Sequence, residues 1–221
     1  MKKTNKTMIL VIILIIINIV LATSLIISLN KEEKTIDKEE QQEGNVIDSI
    51  KFKKEYEALN DKKVNENSEQ RYSTISIPEN NPMEYVTLEE LVNIANTQDA
   101  YIYISSATCP FCRATIETLL EVAKECNVEK IYYYDTSKQI IEDEEKYNQL
   151  MEQLAEKEIV KKNNDGKTVF GIPIVLKVSD GIVESIARGV TYKREDNQSV
   201  HSKITEEQKK QVHDRYYEVL M

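Results

Sequence analysis

Two cysteines stand three positions apart in "SSATCPFCR", Ser105 to Arg113, and a pair so spaced can hold a metal, staple a loop or cycle between dithiol and disulfide. A structural zinc site needs about four ligands, and beyond the pair the chain offers Cys126, His201 and His213. Cys126 lies 14 residues past Cys112 on what reads as the same helix, roughly 21 Å away at 1.5 Å per residue. Copper delivery calls for further Met, His or Cys close by, and the neighbouring sequence has none. No metal ligand set is therefore assigned. A staple across so short a loop would add little loop entropy.

Redox chemistry accounts for more of the residues. If a helix begins here, Cys109 takes its N-cap and Pro110 its first turn, where a missing N–H costs nothing and the ring presets the backbone. Unpaired N–H groups and the positive helix end favour a Cys109 thiolate, lowering its pKa from the free value of about 8.5. Arg113 offers a further cation. Cys112, one turn in and on the apolar face, would be shielded until needed to resolve a mixed disulfide, and an accessible nucleophile with a buried resolver is what disulfide exchange requires. Such chemistry uses no cofactor.

The elements that must position this pair follow from pattern. "AYIYIS", Ala100 to Ser105, is a strand ending just before the cysteines. Cys112, Ile116, Leu119, Leu120, Ala123 and Cys126 recur at helical spacing over Arg113 to Cys126. Upstream, Thr87 with Glu90 forms a capping box opening the helix "TLEELVNIAN". "KIYYYD", Lys130 to Asp135, reads as a second strand, and Ile140 to Val160 as a long helix with an acidic solvated face. Thr168 to Gly189 reads as an antiparallel hairpin turning at Ser179 to Gly181. Thr205 with Gln208 caps a terminal helix. Before Thr87, Ile50 to Asp61 suggests a helix, Tyr72 to Pro78 a strand, and Asn80 to Pro82 a turn. The order strand, helix, strand, helix, hairpin, helix implies an α/β fold.

The N-terminus sets a location. Met8 to Leu29 is an uncharged run of 22 residues, about 33 Å as a helix against roughly 30 Å of bilayer hydrocarbon. A cleavable signal has a shorter apolar core, about 7 to 15 residues, and no small-x-small cleavage site or lipid-bearing cysteine follows, so an uncleaved signal anchor is expected. Lys2, Lys3 and Lys6 ahead of it place that end in the cytoplasm. A single-pass protein of the cell membrane results, with its C-terminal domain extracytoplasmic. The 221-residue chain carries −9, of which the first 30 residues hold +3, leaving −12 on the exported part. That balance argues against nucleic acid as a partner and against tight adhesion to anionic head groups. The expected organisation is a cytoplasmic tip and transmembrane anchor over 1–30, a charged tether over 31–48, an N-terminal extension over 49–86 and the main domain over 87–221.

"GIPIVLKVSDGIVESIARG", with Pro173 after Ile172 about sixty residues beyond the cysteine pair, resembles the thioredoxin superfamily signature over roughly Thr87 to Met221. The resemblance implies a thioredoxin-like fold with a central mixed sheet, in which Ile140 to Val160 is an inserted or lengthened helix. It also implies that Pro173 is cis and sits against the cysteines, and that Ile172 and Pro173 pair with the backbone of a bound client. Pro110 and Phe111, the active-site turn, look closer to the Pro-Tyr of glutaredoxins and the Pro-His of periplasmic oxidants than to the Gly-Pro of thioredoxin. Two positions depart from the family: Tyr103 stands where thioredoxin has a buried Asp, and Thr108 where it has Trp. "FKKEYEALN", Phe52 to Asn60, followed by Asn81 and Pro82, resembles membrane-tethered thioredoxin-like proteins of Gram-positive bacteria called bacteriocin transport accessory proteins.

The expected activity is thiol-disulfide exchange with exported protein or peptide thiols and disulfides. Cys109 and Cys112 are the catalytic residues, and electrons are exchanged with a membrane or surface redox partner. The alternative is a noncatalytic accessory that binds an exported peptide or transporter in the same groove. Cys126 falls on a core face, His201 and His213 lack a partner at diagnostic spacing, and the tyrosines of "IYYYD" suit sheet packing.

Overall fold

The computed structural model describes residues 46–138 and 143–221. The expected membrane span and all but the last residues of the tether lie outside them. Among the described residues no helix is long and apolar enough to cross a membrane.

A mixed five-stranded sheet organises the chain. Its strands are β1 (Met83–Tyr85), β2 (Ala100–Ser105), β3 (Ile131–Asp135), β6 (Ile174–Ser179) and β7 (Ile182–Arg188), in the spatial order β1-β3-β2-β6-β7. β1 and β2 run parallel to β3, while β6 is antiparallel to β2 and β7 to β6. Helices α1 (46–57), α2 (Leu88–Thr97), α3 (Pro110–Glu125), α4 (Glu144–Glu156) and α5 (Glu206–Leu220) flank it. A minor hairpin, β4 (Lys161–Lys162) and β5 (Thr168–Val169), lies before β6. This α/β arrangement fits the thioredoxin-like fold that the resemblance implies.

Strand alternation sends successive side chains to opposite faces. Tyr103 on β2 and Tyr133 on β3 join Phe52, Tyr56, Ile116, Leu119, Val212 and Tyr216 in one buried cluster, formed with α1, α3 and α5. Ile102, Ile104 and Tyr134 join Leu91, Val92, Met151 and Leu154 in the other, formed with α2 and α4. Each such aromatic or aliphatic side chain, fully buried, contributes roughly 1.5–3 kcal/mol of transfer free energy. Both capping boxes form. Thr87 Oγ1 accepts from the Glu90 N–H while Glu90 Oε2 accepts from the Thr87 N–H, and Thr205 with Gln208 repeats the arrangement.

Several expectations need correction. Tyr72 to Pro78 is no strand. Ile75 and Ile77 are buried, but their amides donate to Asn60 Oδ1 and Glu57 Oε1, and that of Ser76 to Glu117 Oε1. Side chains thus satisfy donors that a ladder would otherwise take up. The segment after the Asn80 to Pro82 turn is strand β1, three residues that carry no alternation of their own. Thr168 and Val169 pair with Lys162 and Lys161 rather than extending the main hairpin. The long acidic helix is α4, shorter than expected, with Asp143 as N-cap accepting from the Lys146 N–H; positions 139–142 lie outside the described residues. α1 already covers Val46 to Asp48, the end of the expected tether.

Candidate functional site

Parallel β1, β3 and β2 end on one side of the sheet, and there the chain leaves β2 at buried Ser105 for the cysteine turn. Ser106 shapes that turn: its carbonyl accepts from the Cys109 N–H at 3.1 Å, and its hydroxyl bonds the Thr108 hydroxyl at 2.8 Å. Cys109 is then the N-cap of α3, with Pro110 opening the helix, as the residue types predict. The Cys109 sulfur accepts the Cys112 backbone N–H at 3.2 Å, a donor that an α-helix start would otherwise leave unpaired. Cys109 is half-buried, Cys112 fully buried, and both are free thiols.

The two sulfurs are driven in opposite directions. Donation from the Cys112 thiol, then the N–H groups of Cys112 and Phe111, hold Cys109 below the usual thiol range against the opposing effect of burial. Burial pushes Cys112 well above that range, and its hydrogen bond and proximity to Cys109 act the same way. The Ser105 hydroxyl and the Ser106 N–H oppose that rise.

Pro173 directly precedes β6, and the Ile172–Pro173 peptide is cis. Antiparallel register pairs Ile104 with Ile174, so Pro173 stands level with Ser105, at the end of the sheet from which the cysteine turn departs. Its carbonyl accepts from the Gly189 N–H at 2.7 Å, tying the proline to the end of β7. Gly189 has φ +67°, in the left-handed region that favours glycine. Pro173 is buried and Ile172 half-buried.

No family model matches the chain, and no curated protein matches it. Among solved structures it is similar to the crystal structure of thioredoxin from Aeropyrum pernix, with 21% identity over 48% of this chain and 73% of that one and a TM-score of 0.32. A likeness so distant adds nothing to the geometry above.

Two side chains at the site were not anticipated. Tyr192, nearly buried, has its hydroxyl pKa raised by burial first and also by Cys109. The Arg194 guanidinium stands 5.7 Å over the Phe111 ring, within range of a cation–π contact. Both come from the segment after β7, whose polar composition gave it the look of a plain loop. Short-range pattern carries no sign that it folds back onto the cysteine turn.

Arg113 does not serve the sulfurs. It is 1% exposed, and its guanidinium donates to the Tyr56 carbonyl at 2.7 Å, the Ser73 carbonyl at 2.7 Å and Asn60 Oδ1 at 2.8 Å. It clamps the 56–73 segment onto α3. Cys126, the C-cap of α3, is half-buried and packs against the core cluster, as its place on the core face suggests, and it also lines a cleft of 530 Å³ with Asp99, Tyr101 and Lys177. That cleft opens at the start of β2, away from the cysteine pair. His213 Nε2 lies 2.8 Å from Glu125 Oε2 on the surface, and the His201 ring packs edge-on against Tyr72.

Proposed function

We propose that this chain is a membrane-anchored extracytoplasmic thiol-disulfide oxidoreductase. The observation that carries the reading is the asymmetry of the pair: a half-buried sulfur accepting a helix-start N–H, and one turn on a fully buried thiol kept protonated. The first is suited to attack or be attacked, the second to wait.

In the reducing direction the Cys109 thiolate attacks one sulfur of a client disulfide. The client's other sulfur leaves as a thiolate and takes up a proton. Cys112, once deprotonated, attacks the Cys109 sulfur, and the second client sulfur leaves. The client has then gained two electrons and the pair has become a disulfide. Oxidation of a dithiol client runs the same steps in reverse. Ile172 and Pro173, beside the turn, would hold the client backbone, with Tyr192 and Phe111 as the adjoining surface. Exported proteins or peptides are the clients and a membrane or surface protein the redox partner, readings that rest on the apolar run Met8 to Leu29 and the lysines before it.

Alkylation rate against pH and a glutathione redox titration test this reading. Cys109 should react faster than free cysteine at pH 7, and the pair should interconvert reversibly between dithiol and disulfide. A Cys109 with the rate of free cysteine, or a pair that forms no reversible disulfide, refutes it. A binding accessory would instead keep its function in Cys109→Ser and Cys112→Ser.

A further inference from the structure

The segment that follows β7 bridges the two loops of the site. At one end the Gly189 N–H bonds the Pro173 carbonyl at 2.7 Å. At the other, the Arg194 guanidinium stands 5.7 Å from the centre of the Phe111 ring, inside the cysteine turn. Arg188, just ahead of the segment, lays its side chain along exposed Gly171, where a Cβ would lie 3.8 Å from Arg188 Cγ and Cδ. An arginine thus flanks each of the two loops that meet at this end of the sheet.

These two side chains lack a counter-charge. Arg188 donates to the Glu158 carbonyl and Arg194 to the Gln198 carbonyl, and neither forms an ion pair among the described residues. Arg188 lines a cleft of 510 Å³ with Lys161, Arg215, Val190 and Tyr192. Arg215 is paired with Glu218 at 2.8 Å, whereas Lys161 is exposed and adds to the positive charge. Glu158 acts on Arg188 without pairing with it, and exposed Glu195 and Asp196 follow Arg194 without pairing either. Asp135, opposite Ser105 in the sheet register, is already bonded to Ser137 and paired with Lys138. The sequence shows the same bias. Residues 105–116, 166–176 and 185–194, which build this end of the domain, hold Lys167, Arg188, Lys193 and Arg194 besides the buried Arg113, and no Asp or Glu. On a chain of net charge −9 that is a local reversal of sign.

We propose that Arg188 and Arg194 select clients whose cysteine is flanked by acidic residues. A peptide held against Ile172 and Pro173 brings its neighbouring side chains toward Gly171 and Arg188 on one hand and toward Phe111 and Arg194 on the other. Glu or Asp there meets an uncompensated cation, while Lys meets a like charge. Half-buried Ile172 and Phe111 and exposed Val190 offer apolar contact that is indifferent to the charge of the client, so discrimination falls to the arginines. They act on the client's approach and seating rather than on the sulfur: neither is among the groups that lower the Cys109 pKa. The inference rests on the redox reading and names the class of client.

The test uses the full-length protein with Cys112→Ser and Cys126→Ser, which leaves Cys109 as its one thiol. Its clients are short peptides with a single cysteine carried as a mixed disulfide with 2-thiopyridine, and with two Glu, two Gln or two Lys on each side of that cysteine. The Cys109 thiolate bonds to the peptide sulfur, the peptide–thiopyridine bond breaks, and the leaving group takes up a proton as the absorbing thione, whose release gives the rate. Each rate is divided by that of N-acetylcysteine amide, a neutral thiol, with the same peptide. The Glu peptide should then exceed the Gln peptide about tenfold at low salt, about threefold from each arginine, and the Lys peptide should fall below both. The excess should shrink severalfold between about 20 mM and 500 mM NaCl as screening sets in. Arg188→Gln and Arg194→Gln should each cut the Glu-to-Gln ratio about threefold, and Arg188→Lys should keep it; a general loss of reactivity cancels in the ratio. A ratio near one in the parent overturns the selection, as does the parent's ratio persisting when both arginines are Gln, and a loss in Arg188→Lys equal to that in Arg188→Gln overturns the charge role of Arg188. A Gln-peptide rate no faster than that of the neutral thiol at pH 7 overturns the redox reading itself, while the Glu-to-Gln ratio still decides the selection.

Discussion

Replacing Arg113 with Ala separates a structural cation from an electrostatic one. Its guanidinium makes three short hydrogen bonds, to two backbone carbonyls and the Asn60 side chain, from a position 1% exposed. A hydrogen bond to a charged group contributes about 1.5–3 kcal/mol, so the lower figure for three bonds gives about 4–5 kcal/mol. Removing a buried charge also relieves its desolvation, which offsets part of this, while the carbonyls of Tyr56 and Ser73 lose a partner. The net expectation is a loss of about 3 kcal/mol, equivalent to a fall in Tm of about 10 °C at roughly 2–4 °C per kcal/mol for a domain of this size. Thermal and urea unfolding followed by circular dichroism measure it, the chain having no Trp to report by fluorescence. At a temperature where the variant is folded, its Cys109 alkylation rate should stay within about twofold of the parent, because the groups that lower the Cys109 pKa do not include Arg113. A stability change under about 1 kcal/mol would refute the clamp. A tenfold drop in alkylation with stability intact would show that the guanidinium serves the sulfur after all.

Two further outcomes are expected. Gly181→Ala should destabilise the protein by about 2 kcal/mol: Gly181 has φ +72° and a Cβ there would run into the Asn96 carbonyl oxygen, so a urea midpoint equal to the parent's would contradict the turn geometry. Stability should fall as pH rises above about 8.5 and more steeply above about 10. Burial raises the folded pKa of Cys112 first, then of Tyr56, Tyr103 and Tyr133; the unfolded chain releases these protons first, so their contribution is whole below the unfolded values and lost as pH climbs toward the folded ones. Cys109, with its folded pKa lowered, works the other way, contributing above the unfolded thiol value and losing that contribution as pH falls through its own. Urea midpoints at pH 7, 9 and 10.5 that do not change would refute this sign.

Much of the frame around the site was readable because its signals are local. Thr87 with Glu90, Thr205 with Gln208, and Cys109 with Pro110 mark three helix starts within four residues each, and all three caps form. Strands β2 and β3 carry dense β-branched and aromatic runs. β1 went unseen because three residues, Met83 to Tyr85, are too few to show alternation. Tyr72 to Pro78 looked like a strand because Ile75 and Ile77 alternate inward. Whether such a segment enters a ladder depends on where its amides find acceptors, and these come from Asn60, Glu57 and Glu117, far away in sequence. The role of Arg113 depends on Tyr56, Asn60 and Ser73 in the same way. A basic residue next to a cysteine suggests Coulomb attraction in one dimension. In three, its long side chain is buried and spent on the carbonyls of Tyr56 and Ser73 and on Asn60.

The guanidinium clamp also bears on where this protein can be cut. A shortened version starting at Thr87, where the family likeness begins, would discard both aromatic residues of α1 and all three of the closest acceptors around Arg113. The helix that carries the cysteine pair would then open its inner flank to water. For anyone preparing a fragment, the stretch from Val46 onward is masonry rather than packaging.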